Sequence, residues 1–268
     1  MTQTQGNEGD GTVGKALDVL DRVAAFGRPV RFVELLPASP YPKPTLYRLV
    51  QTLTHQGMLS HDAEHGTYAL GVRLVRLAHA AWKQSSLAPL ARPHIDALSA
   101  EVGETVHLAQ LDNAQVLYVD KRNARQPVEM FSQAGKVGPA YCTGVGKAML
   151  AFLPEPALAR AIRQQSFHRF TAATLTTETD LRAELAAIRT RGFAYDREEH
   201  ETGIICVAVP ILSQGGTVLG AMSVTGSTAR TSLATLESLV PRIRAAARAI
   251  GQEADNWRFP EEIRQAGE

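Results

Sequence analysis

One stretch of the chain places cationic and hydrogen-bonding side chains on a single helical face. Its polar positions are Lys43, Thr45, Tyr47, Arg48 and Gln51, and no acidic residue occurs among them. Side chains of these types contact phosphate groups and the edges of bases. Leucine and valine occupy the opposite face, which is also the ordinary pattern of a helix that packs on a core. The face alone leaves both interpretations open.

The neighbouring segments favour contact with DNA. Apolar periodicity predicts three helices within the first 55 residues, followed by a hairpin over residues 58–70. This order is that of a winged helix-turn-helix, in which the third helix enters the major groove. His65 and Thr67, in the hairpin, complete the set of expected DNA contacts. Because the segment is nearly neutral overall, its positive charge is local and we expect it to bind DNA as a dimer.

A glycine turn later in the chain predicts a seat for a small anion. The segment Thr143-Gly-Val-Gly-Lys147 opens a helix, where backbone N–H groups have no helical partner. It is not a phosphate loop, because Tyr141 and Ala148 replace the required glycine and hydroxyl residue, and it lacks the third glycine of a dinucleotide fingerprint. A plain helix start with tight backbone packing is the alternative.

Two later strands carry further candidates. Period two places Ser223 and Thr225 on one face with Ala221, which supplies hydroxyl groups and leaves space for a ligand. Cys206 and Asp196 raise the alternative of a thiol-dependent hydrolase. Cys206 lies within an apolar strand run, where cysteine ordinarily behaves as a small hydrophobic residue, so we expect no catalytic residue.

Composition excludes several classes of protein. The 268 residues are 44% hydrophobic and carry a formal net charge of +1, which excludes wholesale disorder and a protein that coats nucleic acid or membranes. Two separated cysteines exclude a disulfide scaffold or a zinc knuckle. The N-terminus does not resemble a signal peptide, and the most apolar stretch is too short to span a membrane. We expect a cytoplasmic protein without metal or cofactor and without membrane contact.

These patterns divide the chain into five parts: a flexible arm over 1–11, a winged helix-turn-helix domain over 12–72, a linker and dimerisation helix over 73–85, a second domain over 86–252 and a tail over 253–268. Trp82 and the alanine-rich faces of the linker indicate burial against a partner chain. In the second domain, helices separate strands joined by hairpins, which predicts an α+β fold with an antiparallel sheet. A strand over 128–131 and a final helix over 231–251 belong to that prediction.

Several separated motifs resemble the isocitrate lyase regulator (IclR) family. The N-terminal ones are Thr12-Val-Gly-Lys-Ala-Leu-Asp-Val-Leu, Lys43-Pro-Thr-Leu-Tyr-Arg-Leu-Val-Gln-Thr-Leu and Gly57-Met-Leu before Gly66-Thr-Tyr-Ala-Leu-Gly; the C-terminal ones are Thr143-Gly-Val-Gly-Lys-Ala-Met-Leu and Asp196-Arg-Glu-Glu-His-Glu-Thr-Gly-Ile-Ile-Cys206-Val-Ala-Val-Pro. Together they cover residues 12 to 252. The chain departs from the family at Pro44, where a small hydroxyl residue is expected, and in a longer, proline-rich turn over residues 37–42, so the bases it reads can differ.

The resemblance implies a transcriptional regulator with a GAF-like effector domain that binds a pseudo-palindromic operator as a homodimer or a dimer of dimers. It implies an effector site at Gly144, Val145, Asp196, Cys206, Ser223 and Thr225, to which we add the adjacent Tyr141 and Thr143. A helix start that favours a carboxylate, beside an aspartate that accepts from a hydroxyl, suggests a small hydroxylated carboxylate. For an aromatic acid, Met130, Phe131 and Tyr141 are the residues expected to border the ring. Two alternatives to a regulator are left: a metabolite-sensing module that does not bind DNA, and the thiol-dependent hydrolase.

Overall fold

The computed structural model describes residues 11–85 and 87–254, without the side chains of residues 82–85. The chain divides between Gln84 and Ser85 into two compact units. Most of the expected arm and tail, and the side chain of Trp82, lie outside the described residues. Within the described part, no helix is long and apolar enough to cross a membrane.

The N-terminal unit is a winged helix-turn-helix. Its elements are α1 (Thr12–Ala25), β1 (Val30–Arg31), α2 (Phe32–Leu35), α3 (Lys43–His55), β2 (Leu59–Asp62) and β3 (Thr67–Leu70), followed by α4 (Val72–Ser85). The strands form an antiparallel sheet in the order β1-β3-β2. The β2–β3 hairpin is the predicted wing.

The core of this unit forms because α1 and α3 each bury one apolar stripe. Val19 and Val23 of α1 pack with Leu46 and Val50 of α3, as spacing of three and four residues dictates. Pro44 lies in the first turn of α3, where a missing N–H leaves no hydrogen bond unmade. Two details differ from expectation: Gly11 rather than Thr12 is the N-cap residue of α1, and the two-residue strand β1 pairs with β3.

The C-terminal unit is built on one antiparallel sheet. Its elements are α5 (Ala88–Val102), β4 (Thr105–Asp112), β5 (Gln115–Arg122), β6 (Val137–Pro139), α6 (Gly144–Leu150), α7 (Glu155–Arg163), α8 (Glu178–Arg191), β7 (Ala194–Arg197), β8 (Ile204–Leu212), β9 (Val218–Ser227), α9 (Leu233–Glu237) and α10 (Val240–Ala254). The six strands are ordered β6-β5-β4-β9-β8-β7.

Small residues let α6 lie close to one face of this sheet. Ala109 on β4 pairs with Ala221 on β9, and Ala208 on β8 pairs with Ser223, two residues further along β9. All three alanines belong to the core formed with α6, α7 and α8. Since side chains alternate along a strand, the intervening Val207 and Val209 point to the other face. There α10 packs on β8 and against α5.

Two sequence predictions in this unit were wrong. Residues 128–131 form no strand. The strand that follows β5 and pairs with it is β6 instead. The final helix is broken into α9 and α10 around Ser238. Pro241 explains the break, because proline cannot continue a helix but suits the first turn of a new one.

Candidate functional site

The polar face of α3 is exposed as predicted. Lys43, Tyr47, Arg48 and Gln51 lie at the surface, and Thr45 is half-buried. The Tyr47 ring packs edge-on against Phe32, with centroids 5.6 Å apart, and the Gln51 amide lies 3.3 Å from the Tyr68 hydroxyl. The side chains of Lys43 and Arg48 form no ion pair within the described residues. Both cations are therefore available to a phosphate or a base.

The wing presents its two predicted residues differently. His65 is exposed, but its Nδ1 atom lies 2.7 Å from Asp62 Oδ2, and this hydrogen bond lowers the pKa of Asp62. Thr67 is half-buried in β3, opposite Asp62 on one side and Arg31 on the other. Arg31 is exposed and was not predicted as a contact. Only the pairing of β1 with β3 brings it to the wing.

A cavity of about 40 Å³ lies between the start of α6 and the sheet. Most of its lining comes from three adjacent strands and the glycine turn. The lining residues are His107, Tyr118, Phe131, Ser132, Thr143, Gly144, Val145, Asp196, His200, Glu201, Ile204, Cys206, Ser223 and Thr225. Seven of the eight predicted effector residues are among them.

Tyr141 is the exception. Its side chain is fully buried in the core, and its hydroxyl donates to the carbonyl of His168 at 2.5 Å. Its ring packs against Phe167 with centroids 5.2 Å apart. Burial raises the pKa of Tyr141 to about 12. Tyr141 is therefore a packing residue behind the turn and does not line the cavity.

Gly144 and Gly146 lie where there is no space for a side chain. A Cβ atom on Gly144 would lie 2.4 Å from Cys206 Sγ, and one on Gly146 would lie 2.4 Å from the Ala140 carbonyl oxygen. Register places Asp196, Cys206 and Thr225 side by side on β7, β8 and β9. The turn therefore rests directly on this row, and tight backbone packing accounts for both glycines.

This contact makes Gly144→Ala a sharp test of the packing. Overpacking is expected to cost about 1–3 kcal/mol of unfolding free energy, despite the higher helix propensity of alanine. Cys206→Ala removes the sulfur atom with which the new methyl group clashes. The Gly144→Ala/Cys206→Ala double variant should therefore lose less unfolding free energy than the sum of the losses of the two single variants. Urea unfolding of the four proteins of this cycle measures the coupling. Strictly additive losses would contradict the contact.

His107 is the central cavity residue that sequence reasoning missed. It is buried, with Nδ1 at 3.2 Å from Thr225 Oγ1 and 3.3 Å from Ser223 Oγ, and Nε2 at 2.8 Å from Ser132 Oγ. Burial lowers its pKa to about 3, so the ring is neutral. The sequence pattern that points to His107 is the alternation of side chains along β4, which places it on the same face of the sheet as Ala109.

Asp196 is a buried carboxyl group beside a second one. Burial, and then the charge of Glu199, raise its pKa to about 7. Its Oδ1 atom accepts a hydrogen bond from the Glu199 amide at 2.8 Å. Glu199 pairs with Lys147 of α6, both within the interior, while its Oε2 atom has no hydrogen-bond partner in the described part of the chain. Two carboxyl groups thus share one buried cation.

Neither cysteine lies in the environment of a nucleophilic thiol, because both are buried. Burial raises the pKa of the Cys206 thiol, and that of Cys142, above the ordinary range. A nucleophilic thiol needs the opposite shift. The geometry around Cys206 is therefore that of a small apolar residue beneath Gly144.

Contacts between loops hold Phe131, His200 and Glu201 at the lining of the cavity. Glu201 Oε2 accepts from the Phe131 amide at 3.1 Å, and the His200 ring lies 4.9 Å from Phe131 and 4.7 Å from Phe170 between centroids. Burial lowers the pKa of His200 and so disfavours its charged form. These contacts join loops that are distant in sequence. Alternation and periodicity carry no information about them.

Comparison with known proteins now decides the class. Residues 12–63 match the family model for the IclR helix-turn-helix domain, and residues 79–252 match that for the C-terminal part of bacterial IclR transcriptional regulators. The chain belongs to the IclR family. It is a DNA-binding transcriptional regulator with a C-terminal effector-binding domain, and its relatives are regulators rather than enzymes.

Individual relatives agree with this assignment. The chain is 30% identical over 241 residues to the HTH-type transcriptional regulator XynR of Escherichia coli, covering 90% of this chain and 96% of XynR. It is 31% identical over 236 residues to BhcR of Paracoccus denitrificans, covering 88% and 84%. The solved structure of a Rhodococcus sp. RHA1 regulator has a TM-score of 0.78 at 27% identity, covering 91% of this chain and 98% of that one.

Proposed function

We propose that this IclR-family regulator binds a small organic acid in the α6 cavity and that the acid changes its affinity for a pseudo-palindromic operator. The observation that carries the proposal is the set of polar groups that line this small cavity. An effector acts by binding more tightly to one arrangement of the DNA-reading heads than to another.

The donors around the cavity favour a carboxylate that also bears a hydroxyl or keto oxygen. Thr143 donates to the Pro139 carbonyl instead of capping α6, so the N–H groups of the first turn are left for a ligand. Ser223 and Thr225 supply hydroxyl groups beside neutral His107. Asp196, with its pKa of about 7, accepts from a ligand hydroxyl when ionised and donates when protonated.

The volume of the cavity favours small acids over aromatic ones as the effector. About 40 Å³ holds a few waters or an acid of two to four carbons. An aromatic acid enters only if the Phe131 and His200 loops separate. An IclR homologue from Microbacterium hydrocarbonoxydans, with a TM-score of 0.77 at 24% identity, is complexed with 4-hydroxybenzoate, so that acid belongs in the test.

Calorimetric titration of the full chain with glycolate, pyruvate and 4-hydroxybenzoate tests the effector. We expect heat from at least one acid, and a Thr225→Val variant should bind that acid less tightly. Val137→Thr, at an exposed position outside the lining, is the control and should bind normally. No binding of any of the three acids would contradict the effector class.

We infer that α3 and the wing form the DNA interface, through the predicted residues Lys43, Thr45, Tyr47, Arg48, Gln51, His65 and Thr67. The support is the exposed, acid-free face of α3. Arg48→Ala should weaken operator binding by about 1–3 kcal/mol, as expected for loss of a base contact. Gel shifts with the upstream intergenic fragment and an unrelated fragment measure this, with Arg163→Ala, at an exposed position of the C-terminal unit, as control. Equal loss on both fragments would make Arg48 a phosphate contact instead.

We propose that a second copy of the chain covers the apolar surface of the N-terminal unit. Val13 and Leu17 of α1 and Val72 and Val75 of α4 are more than half exposed, at 75%, 53%, 73% and 67%. Such surfaces on a DNA-binding unit ordinarily mark an interface. Sedimentation equilibrium should give the mass of a dimer or of a dimer of dimers; a monomer at micromolar concentration would contradict the proposal.

A further inference from the structure

A groove on the C-terminal unit lies where the sheet loses its edge strand. β7 pairs with β8 only from Ile205 to Ala208. The stretch of β8 from Val209 to Leu212 therefore has no outer neighbour among the described residues. The open groove between this edge, the end of α8 and α10 has a volume of about 370 Å³. That volume is within the range of small-molecule sites.

The floor of the groove is apolar. Phe152, Pro210 and Leu212 line it. Pro210 has no N–H group, so this edge is poorly suited to accept another strand. A compact ligand with an apolar body fits the groove better than an extended peptide.

The rim carries three arginines, Arg191, Arg244 and Arg248, and no acidic residue lines the groove. Arg191 is already paired, because its Nη2 atom lies 2.5 Å from Glu184 Oε1. Arg244 donates to the Arg191 carbonyl at 3.3 Å, where α8 ends. Neither Arg244 nor Arg248 has a carboxylate partner within residues 11–85 and 87–254. No carboxylate of the described residues therefore compensates these two positive charges at the rim.

These two charges are also close neighbours. Arg244 and Arg248 are four residues apart on α10, so they share one face and repel each other. Arg242 on the same helix differs, because its Nε atom lies 2.8 Å from Glu101. A guanidinium pair over an apolar floor matches an anionic group attached to an apolar body.

We propose that this groove is a second ligand site, in which Arg244 and Arg248 hold the anionic group of a small organic acid or phosphate ester. Phe152, Pro210 and Leu212 contact its apolar part. The site is separate from the α6 cavity and does not depend on the effector assignment. β8 joins the two sites, since Cys206 lines the cavity and Leu212 lines the groove.

Phenyl phosphate is the probe, titrated calorimetrically into the full chain. We expect binding to the wild type and to Arg242→Ala, and about tenfold weaker binding to Arg248→Ala, equivalent to one charge-assisted hydrogen bond. Arg248 is exposed, so its removal should not affect folding. Circular dichroism checks that the two variants are folded alike.

Titration with inorganic phosphate distinguishes the contribution of the arginines to binding from that of the apolar floor. Inorganic phosphate should bind more weakly than phenyl phosphate, because it does not use the apolar floor. Equal affinity for both anions would overturn the assignment of an organic ligand. Absence of binding, an equal loss in both arginine variants, or unchanged binding to Arg248→Ala would overturn the site itself.

Discussion

Replacement of Lys147 by methionine is expected to lower the free energy of unfolding by about 3–5 kcal/mol, the usual cost of breaking a buried ion pair. The Lys147 side chain is fully buried and pairs with Glu199. Its removal leaves the carboxylates of Glu199 and Asp196 together in the interior without a cation. Methionine keeps most of the side-chain volume, so the loss reports charge rather than a cavity. Urea unfolding followed by circular dichroism measures it.

Two further variants establish the cause of this loss. Glu199→Gln in the Lys147→Met background removes the stranded charge and should restore most of the stability. Acidification should also reduce the loss, because protonation of Asp196 removes one of the two buried negative charges. Lys136→Met is the control: Lys136 is exposed, 5.3 Å from the Phe131 ring, and its loss should cost less than about 1 kcal/mol. A lysine variant that is insensitive to both rescues would contradict the charge argument.

Asp196→Asn is expected to stabilise the protein by up to about 4 kcal/mol at about pH 8, the equivalent of a pKa raised from 3.8 to about 7. The folded state binds this proton more tightly than the unfolded state does. The contribution of Asp196 to stability is therefore greatest below about pH 4 and falls as pH rises to about 7. The asparagine side chain of the variant does not titrate, so the variant should not lose stability in this way as pH rises. The difference in unfolding free energy between the variant and the wild type should therefore grow from about pH 4 to about pH 7 and vanish below about pH 4.

The same titration should govern binding of the acid. Ionised Asp196 repels a carboxylate, so the affinity of the wild type should fall as pH rises through about 7. The amide introduced by Asp196→Asn carries no charge at any pH, so affinity in the variant should be flat. Calorimetric titration of the effector at several pH values measures both profiles. Asp112→Asn, at an exposed position, should keep the wild-type profile. Affinity that rises with pH would mean that ionised Asp196 is the binding form.

The two variants also test each other. Lys147 favours the ionised form of Asp196 and so opposes the effect of burial. Asp196→Asn should therefore stabilise the Lys147→Met protein more than it stabilises the wild type. Equal gains in the two backgrounds would show that the lysine does not act on this carboxyl group.

The sequence by itself determined the features that repeat along one element. Spacing of three and four residues set the exposed face of α3, and period two set Ser223 and Thr225 on one face of β9. The glycine turn was predicted from its own residues, whereas the effector roles of Asp196 and Cys206 came from the resemblance to the IclR family. The matched models confirm the family, and those roles stay predictions. These features are local, so chain order is enough to specify them.

Only the tertiary structure decided which distant groups share the interior. It brought His107 between Ser132 and Thr225, paired Lys147 with Glu199, and packed Phe131 against His200 at the lining of the cavity. It also moved Tyr141 from the expected lining into the core. Each of these contacts joins segments whose approach depends on strand order and loop path. No period of the sequence encodes that approach, because contact across a sheet or between loops is set by the packing of the whole unit.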